Sequence, residues 1–324
     1  MTRATAVLLI AGMAVVGSGC SGSATSSVAD RPSATAAWST SPTPQVSEPP
    51  ETKDPAPERP GPLRVTVALD AVNHLARAIG PRHATSPAFA RAASWLEREL
   101  SEAGYDVHTQ RFAVPGGDSW GVPVSAGHSV NVVATSAGFK PRRPHLVVGA
   151  HLDTVPQSPG AEDDASGIGA LLMVADALSE TTSVSRLPVV FVGFGAEEPR
   201  GPSDEDHHYG SRAYVAALYP AERRAVRGML ALDRVGVGDV VPVCTAGDDA
   251  ARAEVLRAGR RARVPMQPCE NRSSDHWSFV EQGMPGVRLG GTSYAGYHSS
   301  ADVPAVVNAS QLRRTARLVL AWLR

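Results

Sequence analysis

Two histidines and a set of carboxylates carry the chemistry legible in this sequence. His151 and Asp153 follow the apolar run Leu146-Val147-Val148-Gly149-Ala150, which reads as a buried strand. Glu162, Asp163 and Asp164 come next, on a Gly/Pro-containing loop. Glu197 and Glu198 close a second apolar run, Leu187 to Phe194, and Asp233 closes a third, Gly228 to Leu232. His298 lies in a Gly- and Tyr-containing loop after a fourth run, Pro285 to Leu289. Open α/β sheets build their sites at the carboxyl ends of their strands. Gathering these groups at one sheet edge crowds like charges, which raises their pKa values and costs solvation. Cations explain such a cluster. A His/Asp/Glu mix without thiolate suits zinc in a hydrolytic site, or a harder divalent metal. Two imidazoles and three carboxylates are more than one catalytic ion takes, and they suffice for two ions sharing a carboxylate and a water.

The elements that must position these residues follow from periodicity. Helices are expected over Val65–Ile79, ended by Gly80-Pro81, and over Ser86–Ala103, with Gly104 as cap. Strands are expected at Tyr105–Val114 and Ser129–Ala134, with residues 115–128 as a loop between them. Ser166 opens a helix that runs to Leu178, and Asp164 reads as its cap. Residues 199–210 form a polar loop, and Ser211–Leu218 a helix after it. Residues 249–263 are a basic amphipathic helix, read as a solvated face. A short helix runs from Ser274 to Gln282. The last helix, Ser310–Leu323, takes Ser310 as its cap. Strands alternating with helices predict an α/β fold: a mixed, largely parallel sheet flanked by helices on both faces, in a single domain.

Composition narrows the function class. The chain has 324 residues, 43% apolar and 19% charged, with a formal net charge of −1. That balance gives no electrostatic case for a nucleic-acid partner. The N-terminus reads as an export signal over residues 1–19, with Arg3 ahead of an apolar stretch, Ala6 to Val16, too short to span a bilayer. Gly17-Ser18-Gly19-Cys20 resembles a bacterial lipobox, which implies lipidation of Cys20 and a membrane anchor on the outer face of the cell. Gly17 departs from the larger aliphatic residue usual there, and the other reading is a plain secretory signal. Residues 20–62 are rich in Ser, Thr, Pro and Ala and read as a tether, which leaves 63–324 as the catalytic domain. With Cys20 lipidated, Cys244 and Cys269 remain as a pair, and an exported context favours a disulfide between them over two buried thiols.

Read together, several short pieces resemble one family. They are His151-Leu152-Asp153, Glu162-Asp163-Asp164-Ala165-Ser166-Gly167, Gly195-Ala196-Glu197-Glu198, Leu232-Asp233, Ser274-Asp275-His276 and Tyr297-His298. In this order and spacing the sequence is similar to the bacterial zinc aminopeptidases of the M28 metallopeptidase family. The resemblance implies a metal-dependent aminopeptidase acting on peptides with a free N-terminus, with two divalent ions, zinc foremost. Asp163 would bridge the ions, His151 and Asp233 would complete one side, and Glu198 and His298 the other. Asp153 would accept the second N–H of His151 and fix its tautomer. Glu197 would be the general base, and Tyr297 would donate to the oxyanion of the tetrahedral intermediate. Three features depart from the family: Glu162 replaces the usual Asn, Arg234 replaces an apolar residue after Asp233, and loop 199–210 is longer and more acidic.

Blander readings stand beside these. His298 alone could be a loop histidine, and Asp233 a turn residue. Asp275 and His276 read better as a structural pair, or a helix cap near the site, than as ligands. His207 and His208 read as solvated loop residues. His74, His83, His108, His128 and His145 belong to no constellation, and Ser166 lacks a nucleophile-elbow context. The alternatives in function are a glutaminyl cyclase-like acyltransferase with one zinc, and a surface binding protein that keeps the fold without the chemistry.

Overall fold

The computed structural model describes residues 61–180 and 185–324. The export signal, Cys20 and nearly all of the expected tether lie outside the described residues. Gly61 and Pro62, assigned above to the tether, already belong to the domain edge: the Gly61 N–H donates to the Ala177 carbonyl at 2.9 Å.

Eight strands form one sheet. In chain order the strands are β1 (Asp106–Val114), β2 (Gly117–Ser119), β3 (Val122–Val124), β4 (Gly127–Thr135), β5 (His145–His151), β6 (Val189–Phe194), β7 (Val226–Leu232), β8 (Val241–Cys244), β9 (Met266–Cys269) and β10 (Gly286–Leu289). The large sheet runs β1-β4-β6-β5-β7-β10-β8-β9, and β2 and β3 pair separately as a hairpin. The four central strands β6, β5, β7 and β10 are parallel, β4 and β8 flank them antiparallel, and β1 and β9 form the edges. The mixed, largely parallel sheet expected from the sequence is therefore present.

Helices cover both faces because the central strands alternate between two cores. The helices are α1 (Val65–Asn73), α2 (Pro87–Glu102), α3 (Ser166–Ser179), α4 (Tyr209–Ala217), α5 (Pro220–Arg223), α6 (Asp249–Arg261), α7 (His276–Val280) and α8 (Ala309–Leu323). Leu146 and Val148 of β5 and Phe191 of β6 pack with α1, α2, α3, α6 and α8. Val147, Val190, Val192 and Phe194 pack with Tyr214 and Val215 of α4 and Phe279 of α7. Every residue of β5 is buried. A slip of one residue would exchange the two faces of this strand, so the hydrophobic pattern fixes its register. That register delivers His151 to the carboxyl edge.

Helix ends mostly follow the expected signals. Ser86 accepts from the Phe89 N–H at the start of α2, and Gly104, past its end, has φ +90. At α8 the cap is Asn308, which accepts from the Ser310 N–H, rather than Ser310 itself. The Asn carboxamide reaches two residues forward, which puts the helix start one residue earlier. Residues 115–128 are not a plain loop: they contain the β2–β3 hairpin, turning at Trp120-Gly121. Strand β8 and the edge strand β9 were not apparent in the sequence. Both are four residues long, and each carries a proline, which strands tolerate at an edge such as β9. They lie in parallel register with Cys244 opposite Cys269, and a disulfide joins the two.

Candidate metal centre

The carboxyl ends of β5, β6 and β7 converge on one cavity of about 240 Å³. Asp163, Glu197, Glu198, Asp233, Tyr297 and His298 line it, and His151 lies beneath, 1% exposed. The Asp163 carboxylate sits between the two histidines: His151 Nε2 is 3.0 Å from its Oδ1, and His298 Nε2 is 3.1 Å from its Oδ2. His298 Nε2 is also 3.2 Å from Glu198 Oε2. Two sets of ligand atoms lie close enough for an ion, His151 with Asp163 and Glu198, and His151 with Asp164 and Asp233. All five expected ligands are thus together.

The donor set fits divalent cations. Buried Glu198 Oε1 and His298 Nδ1 have no hydrogen-bond partner among the described residues. Burial pushes the Glu198 carboxyl up to about 7 although His298 is adjacent. Burial also opposes charge on His151, yet the carboxylates of Glu197 and Asp163 outweigh it and hold the imidazole protonated well above its ordinary range. Burial would likewise raise Asp163, and the hydrogen bonds from His151 and His298 hold it well below the usual carboxylate range instead. Protons on the imidazoles here answer a demand for positive charge that an ion would also meet.

Rigid backbone presents these groups. Asp164 reads correctly as a cap: its Oδ1 accepts from the Gly167 N–H at 3.0 Å and from the Arg234 N–H at 3.1 Å. Its Oδ2 accepts from the His151 N–H at 3.3 Å, tying β5, α3 and the end of β7 to one carboxylate. Gly167 is required there, since a Cβ would stand 2.2 Å from the Leu232 carbonyl and 2.4 Å from Asp164 Oδ2. The Glu162 carboxylate accepts from the Gly236 and Val237 N–H groups. Among the described residues six non-glycine residues have positive φ: Trp120, Ala196, His208, Arg234, Arg263 and His298. Four of these line the cavity and Ala196 immediately precedes Glu197, so backbone strain concentrates at the site.

Two expectations need correction. The Asp153 carboxylate is not the partner of His151: Nδ1 is 3.8 Å from Asp153 Oδ1 and 3.2 Å from the Asp153 backbone carbonyl. The carboxylate instead accepts from the N–H groups of Glu197 and Glu198, at 3.0 and 3.2 Å. Strand pairing turns it toward the end of β6, where the Glu-Glu turn has N–H groups to satisfy. His208 is not solvated. It is 7% exposed, and its Nε2 lies 3.2 Å from Glu197 Oε1, close but not aligned as a hydrogen bond. Its backbone N–H donates to the Glu197 carbonyl, which folds the polar loop back over the site. His207, half-buried, lines the cavity.

Two bracing residues were missed. Arg82 is fully buried and donates to the carbonyls of Leu152, Pro159 and Gly160, at 2.7, 2.7 and 3.1 Å. Asp302 accepts from the N–H groups of Glu162 and Asp163 at 2.8 and 3.1 Å. Asp302 stands four residues after His298, a proximity that offered a signal. Arg82 lies far from the cluster in sequence and offered none.

Comparison with known proteins agrees with this geometry. The sequence profile described as peptidase family M28 matches residues 131–323. The chain belongs to peptidase family M28. It is 29% identical over 181 residues to the uncharacterized protein YfbL of Escherichia coli, covering 53% of this chain and 50% of that protein. It is 36% identical over 106 residues to an aminopeptidase of Pseudomonas aeruginosa, covering 33% of this chain and 18% of that protein. The chain thus spans half or less of the length of these curated relatives. Its fold is similar to BSAP, a zinc aminopeptidase from Bacillus subtilis, with TM-score 0.70 and 18% identity over 81% of this chain and 94% of that one.

His276 lies outside both ligand sets, whereas buried Asp275 Oδ1 has no hydrogen-bond partner among the described residues. His276 is buried with Nε2 3.0 Å from the Asn271 carbonyl, and burial pushes its pKa down to about 3. The unfolded chain therefore takes up this proton near pH 6.5 while the native state refuses it. Stability from the neutral imidazole is present above pH 6.5 and is lost as pH falls toward 3. Between pH 6.5 and 5 the wild-type domain is expected to lose about 2 kcal/mol more than His276→Asn, from this one group. Urea unfolding of both proteins at the two pH values checks this, and parallel losses would contradict it.

Proposed function

We propose that this protein is a metal-dependent aminopeptidase that hydrolyses the amide bond next to a free amino terminus. The observation that carries the reading is the Asp163 carboxylate, with one imidazole on each of its oxygens. A carboxylate shared in this way suits a bridge between two ions, zinc by the donor chemistry. His151 and Asp233 would hold one, Glu198 and His298 the other. Bound zinc would lower the pKa of water and polarise the scissile carbonyl.

The chain's own residues supply the rest. Glu197 is buried at the cavity wall. Burial would raise its carboxyl, but nearby His151 and His208 hold it below the usual range, so it is ionised and can accept a proton at neutral pH. Acting as general base, it takes a proton from the attacking water and passes it to the departing amine. Asp153 fixes the backbone of Glu197 and Glu198 and so aims both carboxylates. Tyr297 lines the same cavity with its ring stacked on His298, centroids 3.7 Å apart, and its hydroxyl would donate to the developing oxyanion. The complete set of five ligand groups supports hydrolysis over a one-zinc cyclase, and a surface binding protein would have no use for an ionised Glu197.

Glu197→Gln is expected to lower kcat on aminoacyl-anilides by about 10²–10⁴-fold while the bound metal stays. Unchanged kcat with metal retained would remove Glu197 from the mechanism. Export with a lipid on Cys20 remains part of the proposal, supported by the apolar stretch and small residues ahead of it. Cys20→Ser is expected to move the protein from the membrane fraction to the medium, and a wild-type protein already free in the medium would refute the anchor.

A further inference from the structure

The cavity wall carries a guanidinium, that of Arg234, which is ion-paired with Asp233 and stacked on Tyr297 but has no hydrogen-bond acceptor among the described residues. Arg234 follows Asp233 at the end of β7, and its side chain is 15% exposed. Its guanidinium lies 4.4 Å from the Tyr297 ring centroid, and its Nε is 3.6 Å from Asp233 Oδ1, beyond hydrogen-bond reach. Among the described residues no group accepts a hydrogen bond from this side chain. The other buried arginines differ. Arg288 is spent on Asp233, Asn271 and the Ser273 carbonyl. Arg200 donates to the carbonyls of Pro115 and Ser125, and Arg82 braces the ligand loop.

Arg234 is also held where an ordinary side chain would not choose to be. Its φ is +56, in the region that favours glycine. Its N–H is fixed by Asp164, and its carbonyl accepts from the Gly291 N–H at 3.0 Å. Gly290 lets the backbones meet, since a Cβ there would stand 2.5 Å from the Arg234 carbonyl. A strained backbone held from both sides places the side chain at the cavity wall. Beyond the carboxylates, His298 and Arg234, the wall is Trp120, Pro199, His207, His208, Ser273, Arg288 and Tyr297. Among the described residues no Val, Leu, Ile or Met lines it. Asp204, Glu205 and Asp206 lie outside the lining, and Asp206 is bonded to Ser203.

Resting on the aminopeptidase reading, we infer that the residue removed carries an acidic side chain, whose carboxylate pairs with the unbonded Nη donors of Arg234. A planar guanidinium with open Nη donors matches a carboxylate in two parallel hydrogen bonds. A leucine side chain in the same place would strip water from the cation and return nothing. Glutamine would return a single neutral acceptor. A site built around such a donor rejects the analogue that lacks the acceptor.

The test is kcat/KM of the metal-loaded wild type on Glu-, Asp-, Gln-, Leu- and Lys-anilides, with Arg234→Met and Arg234→Lys alongside. The wild type should prefer Glu or Asp over Gln and Leu by at least about tenfold, as a hydrogen bond to a charged group supplies. Arg234→Met should bring the Glu-to-Gln ratio to about one, and Arg234→Lys should keep part of it. Because the wild-type panel needs no variant, a variant that fails to fold does not weaken the test. Hydrolysis of Leu- or Gln-anilide as fast as Glu-anilide overturns the inference and leaves the aminopeptidase standing. No hydrolysis of any anilide overturns the aminopeptidase. Calorimetric binding of L-glutamate against L-norleucine then judges Arg234 without turnover: tighter glutamate binding, lost in Arg234→Met, supports the pairing, and equal binding refutes it.

Discussion

Burial of several carboxylates within one sheet edge is the constraint on which the rest of this structure depends. Asp163, Glu197, Glu198 and Asp233 are each less than a tenth exposed, and Asp153, Glu162 and Asp164 lie buried behind them. Charges so placed are unstable without compensation. The protein provides it in two ways. Backbone N–H groups bond the rear carboxylates, Asp153, Glu162 and Asp164. The front carboxylates face imidazoles, Arg288 and the cavity, where N–H donors are few. This division separates carboxylates that build the site from those available to cations.

The rear carboxylates explain the architecture around them. Asp164 ties three elements together, and Asp302 and Arg82 secure the loop between β5 and α3 from opposite sides, one through N–H groups and the other through carbonyls. That loop carries Asp163, so its position is determined by a network rather than by packing alone. Networks of this kind lose much when one member is left unpaired. They also allow the left-handed residue Arg234 to persist, because its N–H and its carbonyl are both bonded.

Much of this was legible in the sequence. Buried strands announce themselves as apolar runs, and His151, Glu197, Glu198 and Asp233 could be placed because each follows such a run. The order of the short pieces then pointed to the family. What escaped was set by contacts across the chain. The Asp153 carboxylate turned toward β6 because of strand pairing, which residue types do not reveal. His208 looked like a solvated histidine in a polar loop until the loop folded back through the Glu197 carbonyl. Arg82 is about 70 residues away in sequence from the loop it braces, and the short strands β8 and β9 have too few residues for a periodic signal.

The central claim is that this carboxylate cluster is built for two ions sharing Asp163. Anomalous X-ray scattering from crystals of the zinc-loaded domain, collected on either side of the zinc absorption edge, tests it most directly. The account predicts two peaks, one beside His151 and Asp233 and the other beside Glu198 and His298, with Asp163 contacting both. A single peak, or none at this cluster in zinc-loaded crystals, would contradict it.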